Sequence, residues 1–223
     1  MKRFESELAA LKGRLLEMGR LAADMAASAS NALLTADVAS IARVRRDEPT
    51  LDRFQIDIDH EAIRLITVYA PVARDLRCLL MIARINSEFE RIGDEAMDNC
   101  RWLETLAPGT LVPSVHELAE LSSMTLHMLH GAVEAFENED IDKAQAVIGM
   151  DDRIDAIEAQ MIGDLVRRSP HPPDVAPSVG LVLVARSLER MADHATNIGE
   201  EIYYWLKGED IRHRTGDTAR VQG

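Results

Sequence analysis

Aromatic residues are scarce in this chain, at 4% of the sequence. Aromatic and β-branched side chains suit pleated sheets, so their scarcity turns the reading towards helices. Cysteine is nearly absent as well. Cys78 and Cys100 are the only two, and no CxxC pair occurs. Two thiols without a spacing pattern read as reduced, small packing residues of a cytoplasmic protein. No apolar run approaches the roughly 18 residues of a membrane span. The opening MKRFESELAALKGRLLEMG has no apolar block of signal-peptide type, so any role at a membrane has to come through a partner. Positive charge is in short supply too: 25 Lys and Arg face 38 Asp and Glu, a net charge of −13. That excludes a general nucleic-acid or anionic-membrane binder, because a polyanion is repelled by both surfaces. It permits binding of cations and contact with basic protein surfaces.

Catalytic signatures are missing from the same sequence. There is no phosphate-cradling glycine loop and no HExxH. No Ser-His-Asp or Cys-His spacing stands out. The Glu-x-x-His pair of di-iron carboxylate bundles does not occur either.

What is present is enough apolar residue, 47%, to fill a core, and an abundance of the helix formers Ala, Leu, Glu and Arg. Leu8, Leu11, Leu15, Met18, Leu21, Met25 and Ala29 recur at spacings of three and four, the stripe of one long helix. Residues 31–37 predict a turn. A second helix follows from about Val38 to Tyr69, with a kink or broken turn expected at Pro49, and Ala70-Pro71 ends it. A third runs from about Val72 to Leu106, with Leu76, Leu79, Ile82, Ile85, Phe89, Ile92 and Ala96 on one face. Pro108-Gly109 is the strongest internal break. A fourth helix follows Pro113-Ser114 to about Glu137, a fifth spans about Asp140 to Arg167, and 169–173 predict a loop. A sixth starts near Pro177-Ser178 and stops at Gly208, a residue suited to a helix C-terminus. Trp102 and Trp205, near the ends of helices three and six, predict caps on the two bundles. The expected fold is all-α: two tandem three-helix bundles, residues 1–108 and 109–208, built from six long antiparallel helices, with a flexible tail at 209–223.

The two halves repeat. Glu90-Arg91-Ile92-Gly93-Asp94-Glu95-Ala96 returns 99 positions later as Glu189-Arg190-Met191-Ala192-Asp193-His194-Ala195. At the same offset Ile82, Ile85 and Phe89 match Leu181, Val184 and Leu188, so the apolar phase is kept along with the charges. An acidic pair precedes each copy, Glu48 and Asp52 in the first half, Asp151 and Asp155 in the second. The pattern is that of a duplicated helical unit.

Side chains four apart share a helix face, and like charges there repel. Glu90, Asp94 and Asp98 form such a stripe, and Glu189, Asp193 and Asn197 form its counterpart. If the upstream pair of each half faces its stripe, four or more carboxylates converge. Such a group needs a cation or shifted proton affinities, and oxygen-only donors suit magnesium, manganese, calcium or iron. The competing account is a solvated acidic face with Arg91 and Arg190 as local partners. His194 either joins the site or bonds a neighbouring carboxylate.

These motifs, in order, resemble the PhoU family of phosphate-uptake regulators over nearly the whole chain. The resemblance rests on Arg3 to Gly19 (RF-x6-L-x3-LLEMG), Pro71 to Arg77 (PVARDLR), ERIGD at 90–94, LERMADHATNI at 188–198 and GEDIRH at 208–213. It implies two three-helix bundles related by a pseudo-twofold. It implies a non-enzymatic adaptor between the ATPase of the phosphate ABC transporter and the phosphate-sensing histidine kinase, a negative regulator that holds the starvation response off when phosphate is plentiful. It also implies a homodimer, and divalent-metal or iron clusters (iron, manganese, magnesium or zinc) on Glu48, Asp52, Glu90, Asp94 and Asp98 in one half and on Asp151, Asp155, Glu189, Asp193 and Asn197 in the other. Three departures bear on this: Ala70 stands where the family has glutamine, Pro49 lies inside the first acidic pair, and His194 stands at the repeat position of Glu95, so the two halves need not bind the same ion. The alternative is a carboxylate bundle acting as a metal store or metal-dependent enzyme.

Overall fold

A computed structural model describes residues 2–105, 116–168 and 172–212. Everything regular in it is helix: α1 (Lys2–Thr35), α2 (Val38–Tyr69), α3 (Ala73–Thr105), α4 (His116–Asn138), α5 (Ile141–Ile148), α6 (Asp151–Arg168) and α7 (Pro172–Lys207). The Pro108-Gly109 break, the Pro113-Ser114 start and residues 169–171 of the expected loop lie outside the described residues.

Local chemistry sets the ends. α1 stops where Ala36 turns to φ +57, and Asp37 then caps α2 by accepting the Ala39 N–H at 3.0 Å. α2 closes on Ala70 at φ +44, whose N–H bonds the Ile66 carbonyl. α2 is helical straight through Pro49 rather than broken there. The proline costs about 3 kcal/mol in a helix interior. Buried Val44, Leu51, Ile58 and Leu65 offset it, at about 1.5–3 kcal/mol for each large apolar side chain removed from water. The expected fifth helix is divided. Gly149 ends α5 by donating to the Gln145 carbonyl at 2.9 Å, and α6 restarts at Asp151. α7 begins at Pro172, before the expected Pro177, because N–H groups of a first turn have no intrahelical partner and proline loses nothing there.

α1, α2 and α3 pack on one another, and α4 packs on α5, α6 and α7. The halves meet where α3 lies on α7 and α1 on α4. These are equivalent helices of the repeat, which is the pairing a pseudo-twofold requires. One continuous core joins Leu79, Ile82, Ile85, Phe89 and Ile92 of α3 with Leu181, Val184, Leu188 and Met191 of α7. Gly93 is needed at the α2–α3 contact: a Cβ there would sit 2.1 Å from Leu51 Cδ2. Trp102 lies against Gly180 of α7, and buried Trp205 stacks near Phe136 with the Lys12 ammonium 4.6 Å from its ring centre. Among the described residues no helix is long and apolar enough to cross a membrane.

Candidate metal centre

The second half assembles its acidic residues. α7 presents Glu189 and Asp193 one turn apart, and α6 packs along it carrying Asp151 and Asp155. One carboxylate oxygen each from Asp155, Glu189 and Asp193 lie within 4.8 Å of one another, the one such group among the described residues. Proton affinities record the crowding. Burial first, then the charges of Asp193, Glu158 and Asp155, pushes Glu189 up to about 7. Burial, then Asp151 and Asp155, raises Asp193 to about 6. Asp155 is raised by burial and by Asp151 and Asp152. Asp151 is fixed by the Thr196 hydroxyl, which donates to it at 3.0 Å.

The motif arginines are engaged elsewhere. Arg190 reaches across to α3 and pairs with Glu95 at 2.7 Å, and Arg91 faces Glu88 at 3.7 Å. Among the described residues no ion pair reaches Asp155, Glu189 or Asp193, and Arg190 is the last of the charges that act on Glu189.

The first half is looser. Glu90 is raised by burial and then by Asp94 and Asp52, and Asp94 by burial and then by Asp52 and Asp98. These residues feel one another's charge. Arg101, however, enters the outer end, bonding Asp98 at 2.7 Å and lying 3.7 Å from Glu48. At the repeat offset the second half has Glu200 in place of Arg101. Among the described residues a built-in cation pairs with one stripe and not with the other, so the two halves are electrostatically unequal.

Two residues beside the cluster make their hydrogen bonds to Glu88 of α3. The Asn197 amide donates to Glu88 of α3 at 3.2 Å. His194 takes the second of its two readings, its Nδ1 2.7 Å from Glu88 Oε2 with both side chains mostly buried. Two residues escaped sequence reasoning. Glu158, three positions after Asp155, acts on Glu189 and Asp193, and its helical spacing was the available signal. Glu88 precedes the ERIGD motif, and only the packing of α3 on α7 reveals its partners. Both thiols are buried, with Cys78 pushed up to about 12 and Cys100 to about 11, so neither is a nucleophile.

An all-carboxylate donor set with raised proton affinities fits a hard cation: a divalent charge at that position removes the repulsion that protonation otherwise relieves.

Comparison with known proteins agrees with the duplicated architecture. The PhoU domain family model matches twice, at residues 15–103 and 118–202. The phosphate-specific transport system accessory protein PhoU of Serratia marcescens is 32% identical, over 96% of this chain and 88% of that one. The protein of the same name from Escherichia coli K12 is 31% identical over 96% and 89%. The crystal structure of PhoU from Pseudomonas aeruginosa superposes with a TM-score of 0.89 at 31% identity, covering 92% of this chain and 100% of that one. The regulatory protein PhoU from Streptococcus pneumoniae, at 24% identity and a TM-score of 0.85, shares the fold. With both halves matched by one family model and relatives above 30% identity along nearly the whole length, this chain belongs to the PhoU family.

Proposed function

We propose that this protein regulates phosphate uptake and phosphate-starvation signalling as a non-enzymatic adaptor in the cytoplasm. It contacts the ATPase subunit of the phosphate ABC transporter and the phosphate-sensing histidine kinase, and it holds the starvation response off when phosphate is abundant. The observation that carries this reading is the double match to the PhoU domain, together with relatives named as accessory proteins of the phosphate-specific transport system. The surface chemistry supports it. A net charge of −13 favours basic protein surfaces over nucleic acid. Both thiols are buried with raised proton affinity, so neither cysteine serves as a nucleophile beside the carboxylates. The adaptor acts as a homodimer. Co-purification from phosphate-rich cells tests it: the tagged chain should recover both the transporter ATPase and the kinase, and recovery of neither refutes it.

A second reading concerns the cation. Asp155, Glu189 and Asp193, with Asp151 and Glu158 around them, would hold a divalent metal or an iron cluster in the second half. Glu48, Asp52, Glu90, Asp94 and Asp98 would form a weaker counterpart, partly satisfied by Arg101. A cation bound there would supply the positive charge that Asp155, Glu189 and Asp193 lack. The chain's own carboxylates then stay ionised and ordered, with Thr196 holding Asp151. A metal store or metal-dependent enzyme is the rival for this site. Elemental analysis after chelator-free purification, with phosphatase and oxidase assays, separates it from the adaptor.

A further inference from the structure

The last described residues form a motif that neither the acidic cluster nor the adaptor reading uses. Gly208 has φ +75, a left-handed conformation open to glycine, and it turns the chain back beside the Arg77 guanidinium. Asp210 then accepts from the Arg212 backbone N–H at 3.1 Å and from its Nε at 2.9 Å, which fixes the arginine's direction. Arg212 Nη1 donates to Glu201 Oε1 at 2.9 Å, and its guanidinium lies 5.8 Å from the Tyr204 ring centre. Glu201 is on α7, with its side chain 7% exposed. Arg84 of α3 donates to both of its oxygens, at 3.1 and 3.0 Å. One buried carboxylate is thus shared by an arginine of the fold and an arginine of the end segment.

These groups border a cavity of about 470 Å³ between α3 and α7, closed further by Glu88, Glu200 and Asn197. Taking Arg212 away leaves the buried Glu201 carboxylate with one of its two arginine partners and opens the space that a guanidinium filled. Arg84 belongs to a long helix and stays. Arg212 hangs on a short segment, so it is the removable partner. A buried carboxylate that loses a partner is costly, and the vacated position lies beside the Tyr204 ring, so it suits another guanidinium, which donates to the carboxylate and lies over an aromatic face.

We propose that residues 208–212 are a detachable strap seated in an acidic docking groove, and that the groove receives an arginine-bearing segment of a partner protein when the strap is off. A tethered strap competes at an effective concentration on the order of millimolar, so an arginine segment supplied in trans engages only once the strap is weakened. This inference stands on the α3–α7 geometry and is independent of the phosphate reading.

A labelled peptide of residues 207–215 is the probe, followed by fluorescence anisotropy against the full chain. The R212A chain should bind it at least tenfold more tightly than the wild-type chain, whose own strap fills the groove. The same peptide carrying R212A should lose binding, and the doubly substituted E201Q/R212A chain should not bind. Circular dichroism checks that each variant folds. If E201Q fails to fold, the R212A peptide remains the test of specificity. Equal affinity of the wild-type and R212A chains, no binding to a folded R212A chain, or equal binding of the two peptides overturns the proposal.

Discussion

Replacing Glu189 by glutamine should stabilise the metal-free protein at high pH and do little at low pH. Glu189 is held at about 7, against an ordinary 4.5, by burial and by Asp193, Glu158 and Asp155. A raised carboxyl is protonated and unstrained below the unfolded value of 4.5. Its contribution to stability is lost as pH rises through about 7, because the folded state must then ionise inside the cluster. A rise from 4.5 to about 7 corresponds to at most about 3 kcal/mol, at about 1.36 kcal/mol for each tenfold change in proton affinity. The cluster is only partly buried, so solvent screening reduces that to about 1 kcal/mol. Glu189→Gln removes the charge and keeps the shape. Urea unfolding in chelator at pH 5 and pH 8 should show a gain of about 1 kcal/mol at pH 8 and almost none at pH 5. Added manganese or calcium should erase the advantage, because it stabilises the wild-type cluster and finds a weaker site in the variant. An equal effect at both pH values, or no gain at pH 8, refutes the cluster electrostatics.

Asp155→Asn and Asp193→Asn should each weaken divalent-cation binding in calorimetry by tenfold or more. Asp98→Asn should change it little, because Arg101 already neutralises that carboxylate. Gly93→Ala should destabilise by about 1–3 kcal/mol, since its Cβ meets Leu51 at 2.1 Å, and Leu51→Ala in the same chain should recover part of the loss by double-mutant analysis. Ala70→Gly should stabilise by about 0.5–1 kcal/mol in urea unfolding, because φ +44 strains a residue with a Cβ. Neither Cys78 nor Cys100 should react with a thiol reagent in the native state faster than the chain unfolds, as both are buried with raised proton affinity.

Much of the fold was legible because helical periodicity depends on sequence spacing alone. Leu79, Ile82, Ile85, Phe89 and Ile92 were predicted on one face, and all are buried. The matched positions Leu181, Val184 and Leu188 are buried too, because the duplication preserved phase. The break at Gly149 was not legible, since a lone glycine inside a helical pattern is tolerated at a cost of about 1 kcal/mol and does not by itself mark an end. Pro49 gave the opposite error: an isolated proline signals a break, but the packing of α2 on α1 and α3 carries the helix through it. At the site, the four-residue spacing placed Glu189 and Asp193 on one face of α7, while their approach to Asp155 depends on how α6 packs against that helix. The fates of Arg190, His194 and Asn197 did not follow from spacing either. Each is turned towards α3 by the pairing of the two halves, and Glu95 and Glu88 lie about a hundred residues away in sequence. Asymmetry between the clusters comes from Arg101 standing where the repeat has Glu200, a difference whose effect depends on which face of α3 meets α2.

The measurement closest to the central claim is expression of a phosphate-starvation reporter in phosphate-rich medium, with the gene intact, deleted, and restored in trans. Deletion should switch the reporter on and restoration should silence it. A reporter that stays silent after deletion contradicts the assignment of this protein to phosphate signalling.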